Sequence, residues 1–351
     1  MEKNVPTQED IRRTIPARCY EISRLKSYGT AARVIALYAA GVAATHLAPH
    51  WSLLPILWFF TGTAMTALFV AAHECGHLAF SRSKRESFFW GHVFLIPFFY
   101  PFHGWRHAHN VHHQHTNNRE ADNAWNNAMD EREFHRMPGG VQLFVAAMRG
   151  PFWFLGSMVH SVHTQIETIR SGGRRRRETW LSIVVGLASG LAWYAAFVHF
   201  WGAAETARVF VAPFLVFHFW LSTFTLLHHS HEDARFFKRG EWTFYRGQIE
   251  GTVYCRFPRW IEWLVLDINV HVPHHVCAQI PWYHLREATA TLRERFGSDI
   301  IVDRFSFRRL FAVINDCARN DEEGRFRPLP LSMGGLLKSW MGKIVRIEAR
   351  S

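Results

Sequence analysis

Residues 51–77 read WSLLPILWFFTGTAMTALFVAAHECGH. The part from Trp51 to Ala72 carries no Asp, Glu, Lys or Arg. A helix of about 20 such residues is long enough to cross the hydrocarbon of a bilayer. The span runs directly into His73-Glu74-Cys75-Gly76-His77, an H-E-x-x-H pattern. Residues four apart share one helix face, so the span delivers two imidazoles together at its end. The pattern serves zinc sites, where the Glu activates water. It serves equally as the first ligand pair of a larger metal site. The rest of the chain has to decide between the two.

Outward from this span the sequence repeats its character. Residues 31–48, 179–201 and 207–227 are apolar and of similar length, and the links are short: Pro49-His50 after the first span and residues 202–206 between the last two. Short links predict two transmembrane hairpins. Buried helices of a soluble bundle are the weaker reading, because four such stretches are unusual in one core. Neither link contains Lys or Arg, while the opposite side holds nearly all the basic residues, including Arg174–Arg177. The positive-inside rule then places the N-terminus, residues 73–178 and the C-terminal region in the cytoplasm. The expected fold is all-α and integral to the membrane. Four transmembrane helices form two hairpins under a cytoplasmic helical cap (73–178 and 228–351), in a single domain over 1–351. Segments 88–102 and 141–159 are too short or interrupted to span and read as interfacial or re-entrant. Residues 285–328 read as soluble helices with a linker, and 331–346 as a surface-lying tail helix. The first residues are polar and mixed in charge, with no cleavable signal. A bacterial cytoplasmic membrane is the expected setting.

Composition narrows the chemistry. The chain has 351 residues, with 23 His, 30 Phe and 15 Trp, and a formal net charge of +11. Abundant Trp suits a membrane–water boundary. The basic residues are not interleaved with a recognised nucleic-acid module, so nucleic acid is not an expected partner. They suit a membrane-facing surface, and Arg174–Arg177 most simply anchors to anionic headgroups. Five widely spaced cysteines form no C-x-x-C pair, which fits a reducing compartment.

The histidines fall into four clusters. The first is His73 and His77. The second, HNVHH, holds His109, His112 and His113; the third, HHSHED, holds His228, His229 and His231; the fourth, HVPHH, holds His271, His274 and His275. Spacings of three and four put each set on a helix face. Pro273 fits the first turn of its helix, where a missing N–H costs little. The hairpin topology brings all four clusters to the same side. One zinc site needs two histidines, a further ligand and an open position. It cannot use at least nine well-spaced imidazoles, whereas two iron ions can. Spacing alone leaves the choice among His228, His229 and His231 open. Isolated histidines such as His46, His160 and His199 read as interfacial or hydrogen-bonded. Glu74 is expected to orient a ligand imidazole rather than to act as a base. Asp122, Asp267 and Asn269 are further candidates for that supporting role.

These motifs carry a resemblance. AHECGHLAFS, GWRHAHNVHHQHTNN, LLHHSHED followed by EWTFYRG, and HVPHHVCAQIPWYHLREAT resemble the membrane fatty acid desaturases of the Δ12/ω-3 type, almost end to end. The resemblance implies that His73, His77, His109, His112, His113, His271, His274 and His275 bind a di-iron centre, and it adds His229 as the ligand near the last span. It implies O2 as co-substrate, a long-chain acyl lipid as substrate, and electrons from a ferredoxin or a haem protein. MPGG at 137–140 lacks the histidine of a haem-binding H-P-G-G, so the donor is expected to be a separate protein. Pro273, Trp282 and the additional His228 depart from the usual pattern. The expected activity is oxygen-dependent acyl desaturation. Hydroxylation, epoxidation or acetylene formation on the same centre is the nearer alternative, and a membrane zinc protease using His73, Glu74 and His77 the remoter one.

Overall fold

The computed structural model describes residues 5–124 and 129–329. The N-terminal helix α1 (Gln8–Arg13) starts at a capping box in which Thr7 and Asp10 satisfy each other's backbone N–H groups. Two long helices follow, α2 (Arg24–His46) and α3 (Leu54–Gly76). The middle of the chain holds α4 (Lys84–Phe94), α5 (Phe102–His115), α6 (Glu131–Arg136), α7 (Gly139–Arg149) and α8 (Gly156–Arg170). A second long pair, α9 (Gly173–Trp201) and α10 (Ala203–His229), precedes α11 (Arg259–Leu264), α12 (His271–Val276), α13 (Leu285–Phe296) and α14 (Phe307–Asp316).

Among the described residues, three helical segments are long and apolar enough to cross a membrane: Trp51–Gly76, Gly173–Trp201 and Ala203–His229. Four were expected. The segment at 31–48 is helical, but α2 carries Arg24, Lys26 and Arg33 and several Thr, Ser and Gly residues, which dilute its apolarity. The second, third and fourth expected spans run a few residues beyond 51–72, 179–201 and 207–227. Segments 88–102 and 141–159 each break into short helical pieces. The tail helix expected at 331–346 lies outside the described residues.

The all-α expectation needs one correction. Short strands are present: β1 (Met129–Asp130), β2 (Val253–Arg256), β3 (Ile301–Arg304), β4 (Arg319–Asn320) and β5 (Phe326–Arg327). β2 and β3 pair in parallel with Val253 opposite Ile301, while β4 pairs β1 in parallel and β5 antiparallel. A parallel pair requires a long crossover, and α11 to α13 supply it. Part of the stretch read as helices and linker therefore forms the edge of a small sheet.

The core sits around α3, which packs against both α2 and α10. Close approach to α10 depends on Gly62, since a Cβ there would lie 2.6 Å from the Pro213 carbonyl oxygen. Rings of Phe69, Phe98, Tyr100, Trp105 and Phe217 interlock above the end of α3. α9 is different: Leu181, Val184, Leu191 and Phe200 are more than half exposed. An apolar face left open on this scale needs an apolar cover. The arrangement brings the ends of α3 and α10 to one level, with α5 and α12 laid across them.

Candidate metal centre

Each helix delivers histidines for a local reason. α3 ends at Gly76, whose missing side chain lets Trp105 approach; a Cβ would meet the indole at 2.9 Å. His77 is the C-cap, and Leu78 turns the chain back with φ of 59°. His109 and His113 lie one turn apart on α5, with the Trp105 ring stacked on His109 at 4.8 Å. His229 is the last residue of α10. α12 begins at His271 with Pro273 in its first turn, so no intrahelical hydrogen bond is lost.

The nine expected ligands separate into two groups that abut. His73, His77, His109, His113 and His274 form the first, their ligand nitrogens all within 4.8 Å of one another. Within it the Nε2 atom of His109 lies 3.0 Å from that of His73 and 3.1 Å from that of His113. His274 Nε2 is 3.1 Å from His113 Nε2. His112, His229 and His275 form the second group. His271 joins it, with its Nε2 3.2 Å from His229 Nε2 and 2.9 Å from His275 Nε2. The groups touch where His113 stacks on His275 at 4.2 Å.

Burial and chemistry say what such an arrangement can do. Burial, reinforced by the neighbouring imidazoles, holds His77, His109, His113, His271, His274 and His275 well below the ordinary imidazole range. These rings are neutral, the form that binds metal. His77 Nε2 is buried with no protein partner. Convergent Nε2 lone pairs from neutral rings fit a cation in each group, and an all-imidazole set suits zinc, copper, iron or nickel.

Of the residues expected to support the imidazoles, Asp122 contacts one and Glu74, Asp267 and Asn269 are engaged elsewhere. Asp122 Oδ1 accepts from His112 Nδ1 at 2.8 Å, and both side chains are buried. His275 Nδ1 lies 3.0 Å from both Thr116 Oγ1 and Gln248 Oε1. His271 Nδ1 faces the Ile268 carbonyl at 3.2 Å. Glu74, expected to orient an imidazole, instead accepts from the Trp282 backbone N–H at 2.9 Å. Glu74 lines a small pocket with Ser27 and Thr30 of α2, which none of the histidines of the two groups lines. Asp267 pairs with Arg286, and Asn269 donates to Cys255 and Glu262, because residues 262–269 fold back on themselves before α12. Gln248 lacked any sequence signal: it lies 27 positions before His275, on a π-helical turn at Arg246–Glu250. Such turns recur at functional sites.

The third cluster is now divided by geometry. His229 enters the second group. His228 stacks on His271 at 3.9 Å, with its Nε2 buried and lacking a protein partner. His231 turns away toward Asp233 and Asp303. His46 and His199 lie at the other end of the long helices, where His46 contacts Glu205.

A slot leads from the imidazoles between the long helices. Phe69 and Val70 of α3, Leu221 and Phe224 of α10, and Ile268 give it apolar walls, and His73, His109, His112, His229 and His271 face into it. His160, which the sequence left isolated, also lines it.

Comparison with known proteins gives this geometry a context. The family described as fatty acid desaturase matches residues 22–305. The chain is 37% identical over 319 residues to the sn-1 oleoyl-lipid 12-desaturase of Synechocystis sp., covering 91% of this chain and 90% of that protein. It is 38% identical over 294 residues to the sn-1 oleoyl-lipid 12-desaturase of Arthrospira platensis, covering 84% and 83%. With the chloroplastic omega-6 fatty acid desaturase of Spinacia oleracea it shares 33% over 322 residues, covering 91% and 71%.

Proposed function

The chain belongs to the fatty acid desaturase family, and from that premise we propose that it desaturates a lipid-bound acyl chain with O2 at two histidine-held iron ions. The observation that carries this reading is the pair of buried imidazole groups at the end of an apolar slot. We assign His73, His77, His109, His113 and His274 to one iron, and His112, His229, His271 and His275 to the other. The names of the relatives extend the proposal to the Δ12 bond of an oleoyl chain.

Two irons held by these histidines would, with O2, supply the oxidising power to remove two hydrogens from adjacent methylenes, chemistry that side chains alone cannot perform. The residues of the chain do the rest. Phe69, Val70, Leu221, Phe224 and Ile268 replace water around a featureless chain. Methylenes are chemically alike, so the wall that stops the chain selects the bond. Asp122, Thr116 and Gln248 fix ring orientation and leave the Nε2 lone pairs facing inward.

The architecture that fits this chemistry has α2, α3, α9 and α10 crossing the membrane, with the histidine groups on the cytoplasmic side beside short interfacial helices. α2 completes the first hairpin by packing on α3. The basic bias supports the orientation, and the open apolar face of α9 supports lipid contact. Electrons come from a separate carrier protein.

Expression in a host with simple lipids tests the proposal. Mass spectrometry should find a new double bond at the Δ12 position of C18 chains, dependent on oxygen. A hydroxylated product would move the reading to the nearer alternative, and unchanged lipids from iron-loaded protein would refute it.

A further inference from the structure

Each olefin formed from two methylenes and one O2 yields two waters. Two of the four electrons that O2 takes up leave with the broken C–H bonds. The other two, with two protons, must come from a reductant outside the chain. They need a route to the imidazoles that the acyl slot does not occupy.

Such a route is visible. A second depression has no lining residue in common with the slot. His77, His113 and His275 form its floor, so it reaches both imidazole groups. His113 is only partly covered there. The depression is lined by Arg12, Lys84 and Arg106 and by no carboxylate. Arg106 is paired with Glu178, but Arg12 and Lys84 are exposed. Arg12 is also anchored beside the centre, its Nε donating to the Val276 carbonyl at 3.0 Å, next to His275.

We propose that this depression is where a small acidic one-electron carrier protein docks, with Arg12 and Lys84 steering it over His77, His113 and His275. The inference rests on the proposed desaturase reading and gives its electron donor a place. Charges at a rim act mainly on encounter and on salt dependence, and exposed charges are screened over about 10 Å at 0.1 M salt. The arginine run Arg174–Arg177 on α9 is the competing docking site, and its members are exposed as well.

The test uses the full-length, iron-loaded protein in detergent. Binding of an oxidised acidic ferredoxin and, in parallel, of an acidic haem carrier is measured at low and high salt. Anaerobic reduction of the bound iron is then timed with each reduced carrier and with dithionite. Lys84→Glu should weaken binding of the favoured carrier about tenfold at low salt, with the difference vanishing at high salt. It should slow reduction by that carrier and leave reduction by dithionite at the wild-type rate. Arg12→Gln should act in the same direction, and Arg176→Glu should change neither readout. Unchanged binding in Lys84→Glu, an equal or larger loss in Arg176→Glu, or binding of neither carrier to wild type would overturn the docking site. Wild-type protein that holds no reducible iron would instead overturn the desaturase reading, a separate outcome.

Discussion

Asp122→Asn is the most informative single change, because it removes one charge and almost no volume. Both oxygens of Asp122 accept hydrogen bonds. Oδ1 takes His112 Nδ1 at 2.8 Å and the Ala124 N–H at 3.1 Å, while Oδ2 takes the Asn117 N–H at 2.8 Å. An amide has one accepting end. If that end keeps Asn117, the NH2 faces His112 and forces the ring proton onto Nε2, the nitrogen 3.1 Å from His229 Nε2. If it keeps His112, two N–H groups confront each other at Asn117. Either way a buried polar group is left unsatisfied, which costs about 1–3 kcal/mol. At 1.4 kcal/mol per tenfold, that is roughly 5- to 150-fold in affinity, in line with the about 10- to 100-fold typical of partners that support a ligating histidine. The loss falls on the His112 group alone. Iron content measured against a graded chelator series should therefore fall in two steps, from two per chain to one and then to none, with the first shifted to weaker chelator. An Asn variant that keeps both irons with wild-type chelator resistance would refute the assigned role of Asp122.

Further outcomes follow from the same geometry. His229→Ala should lose iron and olefin, whereas His231→Ala should keep both and His228→Ala should keep its iron; equal iron loss in all three would mean the comparison reads folding. Glu74→Gln should retain activity within about twofold, because the amide oxygen can still accept the Trp282 N–H; abolished activity with iron retained would restore a catalytic role for Glu74. His103 is buried outside the two groups, and burial holds its imidazole down to about 3 from an ordinary 6.5. The unfolded chain therefore binds the proton first, and stability falls as pH drops from about 6.5 toward 3, with no effect above that window. His103→Leu should remove up to about 2 kcal/mol of this penalty at pH 5, read as a melting temperature less sensitive to acid than wild type. Reporter tags at residues 1 and 351 should face the cytoplasm and a tag at residue 203 the opposite side; tags at 1 and 203 on the same side would contradict the hairpins.

Eight of the nine histidines proposed as ligands stand out in the chain by their i,i+3 and i,i+4 spacings, and the structure gathers all nine into two abutting groups. The partition was not legible: neighbours His112 and His113 point into different groups, as do His274 and His275. Spacing records a face but not which of two adjacent sites each ring enters. Spacing leaves the choice among His228, His229 and His231 open; the resemblance singles out His229, and the structure puts His229, the last residue of α10, beside His112 and His275. The supporting residues were the least readable, since a carboxylate near a box in sequence need not face it in space. Asp122 does, while Asp267 and Glu74 are claimed by Arg286 and the Trp282 backbone. Gln248 arrives from a distant turn with no periodic pattern. The short strands escaped notice because two to four residues leave no periodicity to detect.

The central claim is that two histidine groups hold two irons that act together, and metal analysis of the active protein tests it most directly. Purified protein that forms olefin should contain close to two irons per chain, and His112→Ala and His274→Ala should each lose the iron of the one group they disrupt, and the olefin with it. Full activity with one zinc per chain and no iron would contradict the account.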